Sequence, residues 1–146
     1  MGELAVAGER GGVRSREVQT HLTYWRLISR QGYRYPDVAW AISAVETGYW
    51  WSPVALARHG HNLFGMKKNG RGYYTSVSAD GYCRYAGQLA SFDDYGDYEA
   101  ATIRKYSIAS RAEYLAHICR RFCPNPSYGG KLALAFQKLK RIQSLV

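Results

Sequence analysis

A mainly α-helical domain with one small β element, in the α+β class, is predicted by three features of the sequence. Apolar residues recur at three- and four-residue spacing in five separate segments, the period of an amphipathic helix. A Gly- and Tyr-rich stretch with an Asp80-Gly81 turn interrupts them midway, as a hairpin would. The chain has 146 residues, 47% of them hydrophobic, enough for one domain with a real core. Extensive disorder is thereby excluded, and no run approaches the ~18 apolar residues of a membrane span.

The first 14 residues, rich in Gly and charge, read as a flexible leader, with a single folded domain over 15–146. Leu4 to Ala7 is too short for the ~7–15-residue apolar region of a signal peptide, so none is visible in this chain. From Ser15 to Gln31, Val18, Leu22, Trp25 and Ile28 lie on one face, and Gly32 ends the helix. Pro36 opens the next helix and Asp37 complements its dipole. There Val38, Ala39, Trp40, Ala41, Ile42, Ala44 and Val45 leave almost no polar face, which predicts burial on nearly every side. A helical turn follows over Pro53 to His59. Tyr73–Thr75 and Tyr82–Tyr85 are the expected strands of the hairpin. Three further helices are expected over Phe92–Lys105, Ser110–Arg121 and Pro126–Ile142, the first two capped by Ser91 and Ser110.

Twenty Lys or Arg against eleven Asp or Glu give a formal net charge of +9, and 13 Tyr with 4 Trp and 4 Phe bring the aromatic share to 14%. Such a chain suits an anionic, flat-faced partner. Cys83, Cys119 and Cys123 cannot complete a disulfide framework and lack histidines at zinc-ligand spacing, so no metal and no cofactor are expected. Cys119 and Cys123, at i and i+4, read as one buried helix face. His59 and His61 read as loop residues.

Among the acids, Glu46 stands alone between Asp37 and Asp80. It closes the most apolar helix, on the face of Val38 and Ile42. Burial and the negative end of the helix dipole both favour its protonated form, which is what a general acid requires. Tyr49, Trp50 and Trp51 follow and offer stacking surfaces beside it. The competing reading is a local ion pair, for example with Arg58, with Trp50 and Trp51 as ordinary core.

The order Ala44-Val45-Glu46-Thr47-Gly48, Ser52, Leu56, then Asn62-Leu63-Phe64-Gly65-Met66-Lys67 resembles the signature of the bacterial glucosaminidase family, the family 73 glycoside hydrolases. Phe92-Asp93-Asp94-Tyr95-Gly96-Asp97-Tyr98 resembles that family's aromatic-led helix. Asn125-Pro126-Ser127-Tyr128 with Lys131-Leu132 is similar to its D-P-x-Y-x-x-K-L segment. The likeness spans roughly Pro36 to Ile142. It implies a lysozyme-like helical domain, a small β-hairpin lobe flanking a substrate groove, and cleavage of the β-1,4 bond after N-acetylglucosamine in peptidoglycan. By this resemblance Glu46 is the catalytic acid and Tyr128 reaches into the groove beside it.

Where many members of that family carry a second Glu, the stretch Tyr74 to Tyr85 has Asp80 as its only carboxylate. Asp80 is therefore the candidate second catalytic group, and assistance by the substrate's own acetamido oxygen is the alternative. Trp50, Asn62, Phe64, Tyr73 and Tyr82 are the expected substrate contacts, with Tyr74 and Tyr85 as further candidate walls. The expected partner is a peptidoglycan glycan strand, met by a monomer at the cell wall, in the periplasm or outside the cell, without a membrane or nucleic-acid role. A non-catalytic wall-binding domain and a basic nucleic-acid-binding module are the rival readings. The second lacks any recognised groove-reading or RNA motif.

Overall fold

The computed structural model describes residues 10–146, with side chains from residue 16 onward. The expected leader over 1–14 falls largely on residues 1–9, which lie outside the described residues. Helix α1 (Arg10–Ser29) already begins within that stretch. At the centre lies α2 (Pro36–Thr47), with every residue from Val38 to Ala44 buried, as its near-continuous apolar sequence requires. It packs against α1 and against α6 (Tyr128–Gln143). At the entry of α2, Glu99 accepts the backbone N–H groups of Arg34 (2.8 Å) and Tyr35 (3.0 Å), satisfying donors the helix itself leaves unpaired.

The short α3 (Pro53–Arg58) is capped by Ser52, whose hydroxyl accepts from the Ala55 N–H. The hairpin is smaller and later than the sequence suggests. Its strands are β1 (Ser76–Val77) and β2 (Cys83–Arg84), antiparallel, with Ser76 opposite Arg84 and Val77 opposite Cys83. Tyr73 and Tyr74 fall outside the ladder, and their hydroxyls donate to Asp97 and to the Asn69 carbonyl.

Helix α4 (Gln88–Lys105) starts four residues ahead of Phe92, after an extended Gly87. Ser91 is consequently not its cap. Its buried hydroxyl instead accepts the Leu63 N–H (3.0 Å), joining α4 to the loop before the hairpin. Ser110 does cap α5 (Arg111–His117), accepting from Glu113 N–H. The single helix expected to Arg121 changes pitch, however, and runs on as a π-helical turn over Ile118–Phe122. That turn carries Cys119 and leads into Cys123, both half-buried and free rather than sealed in a helix face. It also sets the Phe122 ring between Tyr98 (5.5 Å) and Tyr128 (6.5 Å).

The aromatic content is largely core. Trp50 stacks on Tyr24 with ring centroids 4.5 Å apart, and Phe64 stacks on Tyr95 at 4.3 Å. The Tyr95 and Tyr114 hydroxyls meet at 2.8 Å, so each ring is buried with its polar end satisfied. Asp94, fully buried on α4, ties the hairpin lobe to the helices. It receives Arg71 Nε on one oxygen, and the Tyr85 hydroxyl (2.5 Å) and Asn69 Nδ2 (3.3 Å) on the other.

Candidate active site

Glu46 lies in the last turn of α2, which Gly48 ends in the left-handed conformation (φ 61°) while the Tyr49 N–H returns to the Ala44 carbonyl. Thr47 fixes the following turn, donating to the Ser43 carbonyl and accepting the Trp50 N–H. From the other side comes the loop after α3. Asn62 holds it, its amide donating to the Met66 and Cys83 carbonyls while its oxygen accepts the Met66 N–H. This clamp presses Gly65 (φ 64°) so close to Glu46 that a Cβ there would lie 2.2 Å from Oε1. Any side chain there would push the Glu46 carboxyl aside, and the left-handed backbone favours glycine as well.

The third contributor is the start of α6. The Tyr128 hydroxyl donates to Glu46 Oε2 at 3.2 Å, and Lys131 lies one turn further on. Among the described residues the ion pairs are Arg71–Asp94 and Arg111–Asp37, so Glu46 is not engaged by Arg58.

Glu46 is not sealed in the interior as the sequence suggests. It is open to solvent from a cleft, with dense protein on its other sides. That surrounding protein raises its pKa. The Tyr128 hydrogen bond and the Lys131 charge pull in the opposite direction without cancelling the rise. The Tyr128 phenol is itself pushed well up by burial and by Glu46, so it remains a hydrogen-bond donor.

The cleft has a volume of about 370 Å³. Asp80, at the hairpin turn, lines it together with Glu46, and so do Asn62 and Tyr82. Tyr82 is 40% exposed, with Lys67 Nζ 5.6 Å from its ring centroid. Five of the expected site residues thus come together: Glu46 and Tyr128 in contact, with Asp80, Asn62 and Tyr82 around the same space. Both Asn62 amide hydrogens are occupied by backbone, so this residue shapes the cleft more than it offers donors.

Three expected contacts lie elsewhere. Trp50 is 3% exposed, its indole N–H bonded to Ser43 Oγ (2.9 Å), and Phe64 is fully buried. Neither lines the Glu46 cleft: Trp50 stacks on Tyr24 of α1 and Phe64 on Tyr95 of α4. Tyr73 borders a separate cleft and donates to Asp97 (2.5 Å). Tyr85 is core as well, bound to Asp94. Gly65 and Asp94 also shape this region, although neither stands out in the sequence as a site residue. Gly65 stands inside the Asn-Leu-Phe-Gly motif, but only its distance to Glu46 explains the glycine. Asp94 carried no signal distinguishing it from its neighbours Asp93 and Asp97.

A helical domain that carries a carboxyl of raised pKa in a cleft, with a second carboxylate at the hairpin turn lining the same space, has the build of a glycoside hydrolase. The chain belongs to the glucosaminidase family: the family model, described as mannosyl-glycoprotein endo-β-N-acetylglucosaminidase, matches residues 23–141. It is accordingly a glycoside hydrolase. The fold is similar to the catalytic domain of the autolysin Auto from Listeria monocytogenes, at a TM-score of 0.55 and 16% identity, over 88% of this chain and 85% of that one. No curated protein matches the sequence.

Proposed function

We propose that the protein is a peptidoglycan hydrolase that cleaves the β-1,4 bond after N-acetylglucosamine, with Glu46 as general acid. The observation that carries this reading is the Glu46 carboxyl itself. It is open to the cleft, has a raised pKa, and is oriented by the Tyr128 hydroxyl. A protonated carboxyl there can donate to the leaving glycosidic oxygen as the bond breaks. Family membership and the autolysin-like fold support peptidoglycan as the substrate.

Two routes complete the reaction. In one, Asp80 activates the water that attacks the anomeric carbon, which requires the carboxyls to stand ~6.5–9.5 Å apart. In the other, the acetamido oxygen of the sugar attacks its own anomeric carbon, Tyr128 steadies that group, and Glu46 then helps water open the intermediate. Tyr82 supplies an aromatic wall for the C–H face of a sugar ring. The basic surface concentrates the enzyme on a wall whose peptides carry carboxylates. Action at the cell wall follows from this substrate.

The test is digestion of purified peptidoglycan by the wild type and by Glu46→Gln, with identification of the new reducing ends. N-Acetylglucosamine ends, lost in the variant, are expected. N-Acetylmuramic acid ends would make the enzyme a muramidase, and binding of the wall without release of sugar would leave a non-catalytic wall-binding domain. Asp80→Asn separates the two routes: undiminished turnover removes Asp80 from the mechanism. Binding that falls steeply with salt on nucleic acid and ignores Glu46 would favour the nucleic-acid reading instead.

A further inference from the structure

Directly after the Glu46 helix the backbone does something unusual. Gly48, Tyr49 and Trp50 are all left-handed, at φ 61°, 62° and 55°. For two aromatic residues this conformation is strained, and such strain concentrates at functional positions. Its result is that Trp50 turns inward while Trp51 turns outward. Trp51 is 77% exposed, the most exposed large apolar residue among those described.

Its indole does not stand on a flat surface. On one side lies a cleft of about 510 Å³, bordered by Gln19, Thr20, Thr23, Tyr24 and Gln88 as well as Trp51. On the other lies one of about 300 Å³, which shares Arg16, Thr20 and Trp51 with the first. Neither has a lining residue in common with the Glu46 cleft. Gln19 and Thr23 are exposed, and Gln88 uses one amide hydrogen on the Tyr24 hydroxyl (2.8 Å), leaving its oxygen free to accept. The wall of the larger cleft also includes His61 (φ 55°). Its Nδ1 is the one buried side-chain nitrogen or oxygen without a hydrogen-bond partner among the described residues. An orphaned polar atom and a strained backbone at one residue call for an explanation beyond packing.

An open indole face ringed by neutral amides and hydroxyls is suited to a polyhydroxylated ligand: C–H groups on the ring, hydroxyls and acetamides to the rim. Among the described residues Arg16 is the only Lys or Arg lining the larger cleft, and the smaller one adds Lys138 opposite Glu17, a sparse and partly balanced charge on a protein of net charge +9 that does not suit an anionic membrane or a phosphate backbone. We infer that Trp51 is the platform of a second glycan-binding site, separate from the Glu46 cleft, that holds an N-acetylhexosamine strand while another stretch of the polymer is cleaved. The choice of ligand rests on the proposed function, and the geometry of the site does not.

The test uses Glu46→Gln, to suppress turnover, and titration with the tetrasaccharide of N-acetylglucosamine followed by tryptophan fluorescence. Trp40 and Trp50 are buried, the half-buried Trp25 borders neither of these clefts, and no tryptophan lines the Glu46 cleft, so a blue shift that disappears in Trp51→Ala reports on Trp51. Adding Trp51→Ala is expected to abolish the shift and to weaken binding to insoluble peptidoglycan about tenfold, the order of one lost ring-stacking contact, with Trp51→Phe restoring part of it. In the otherwise wild-type enzyme, Trp51→Ala should slow digestion of the insoluble wall while leaving kcat on a short soluble glycan unchanged. Unaltered wall binding in Trp51→Ala overturns the inference, as does a blue shift seen only with phosphatidylglycerol vesicles. Tetrasaccharide binding through Trp51 in a protein that releases no reducing sugar would keep this site and refute the catalytic reading, so the two fail separately.

Discussion

Gly65→Ala isolates the contact on which the active-site geometry depends. A Cβ at this position would meet Glu46 Oε1 at 2.2 Å and Cδ at 2.7 Å, where ordinary contact begins at 3.4 Å. The carboxyl must therefore retreat by about 1.2 Å, away from the position where Tyr128 holds it. A displacement of about 1 Å at a reacting group costs on the order of 100-fold in rate. The left-handed backbone adds about 1–2 kcal/mol of destabilisation for any L side chain, or roughly 2–8 °C in Tm for a chain of this size. Gly72→Ala separates the two effects, because Gly72 is also left-handed (φ 84°) with open space around its missing Cβ. The expected result is a similar fall in Tm for both variants, with kcat for reducing-sugar release from peptidoglycan lost only in Gly65→Ala. If the two retain kcat values within about threefold of each other, the proposal that Glu46 is the general acid fails.

Three other outcomes follow from the same structure. As the proposed general acid, Glu46 must hold its proton to donate it, so activity is expected to fall as pH rises through its pKa. Tyr128→Phe removes a bond that lowers that pKa, so the basic limb of the rate profile should move to higher pH while kcat drops, and a limb that moves down contradicts the assignment. Because the Glu46 pKa is raised by folding, its contribution to stability is full below the unfolded pKa and is lost as pH rises through the folded one. Glu46→Gln should therefore melt above the wild type near pH 7, with the gap closing by about pH 4, as thermal unfolding at the two pH values will show. Asp94→Ala strands Arg71, Asn69 and Tyr85 around a buried void and should cost about 3–5 kcal/mol, with hydrogen exchange rising first at Ser76–Arg84; protected hairpin amides would show that the lobe is anchored by something else.

Those features of the molecule that depend on neighbours in the chain were legible in its sequence. The apolar run from Val38 to Ala44 announces a buried helix, Ser110 announces a cap, and a lone Glu at the end of that helix announces unusual chemistry. Features set by distant partners were not. Ser91 looks like a cap until Leu63 claims its hydroxyl, and Tyr73 looks like a strand residue until Asp97 takes its phenol. Trp50 and Phe64 sit in motifs beside the site, yet the stacking partners that bury them, Tyr24 and Tyr95, are 26 and 31 residues away in the chain. Aromatic composition alone could not divide rings that face a ligand from rings that fill a core. Trp51 shows the same difficulty in reverse, since adjacent tryptophans take opposite fates through one left-handed turn.

The bond from Tyr128 to Glu46 joins residues 82 positions apart, and it forms only when the last helix docks on the second. A chain emerging from the ribosome therefore displays its acidic side chain long before it can orient it. Until the C-terminal helix arrives, Glu46 is a surface carboxylate without its phenol or the charge of Lys131. The orientation of this carboxyl is in this way tied to the docking of α6, so a chain truncated before Tyr128 carries the acid without the group that positions it.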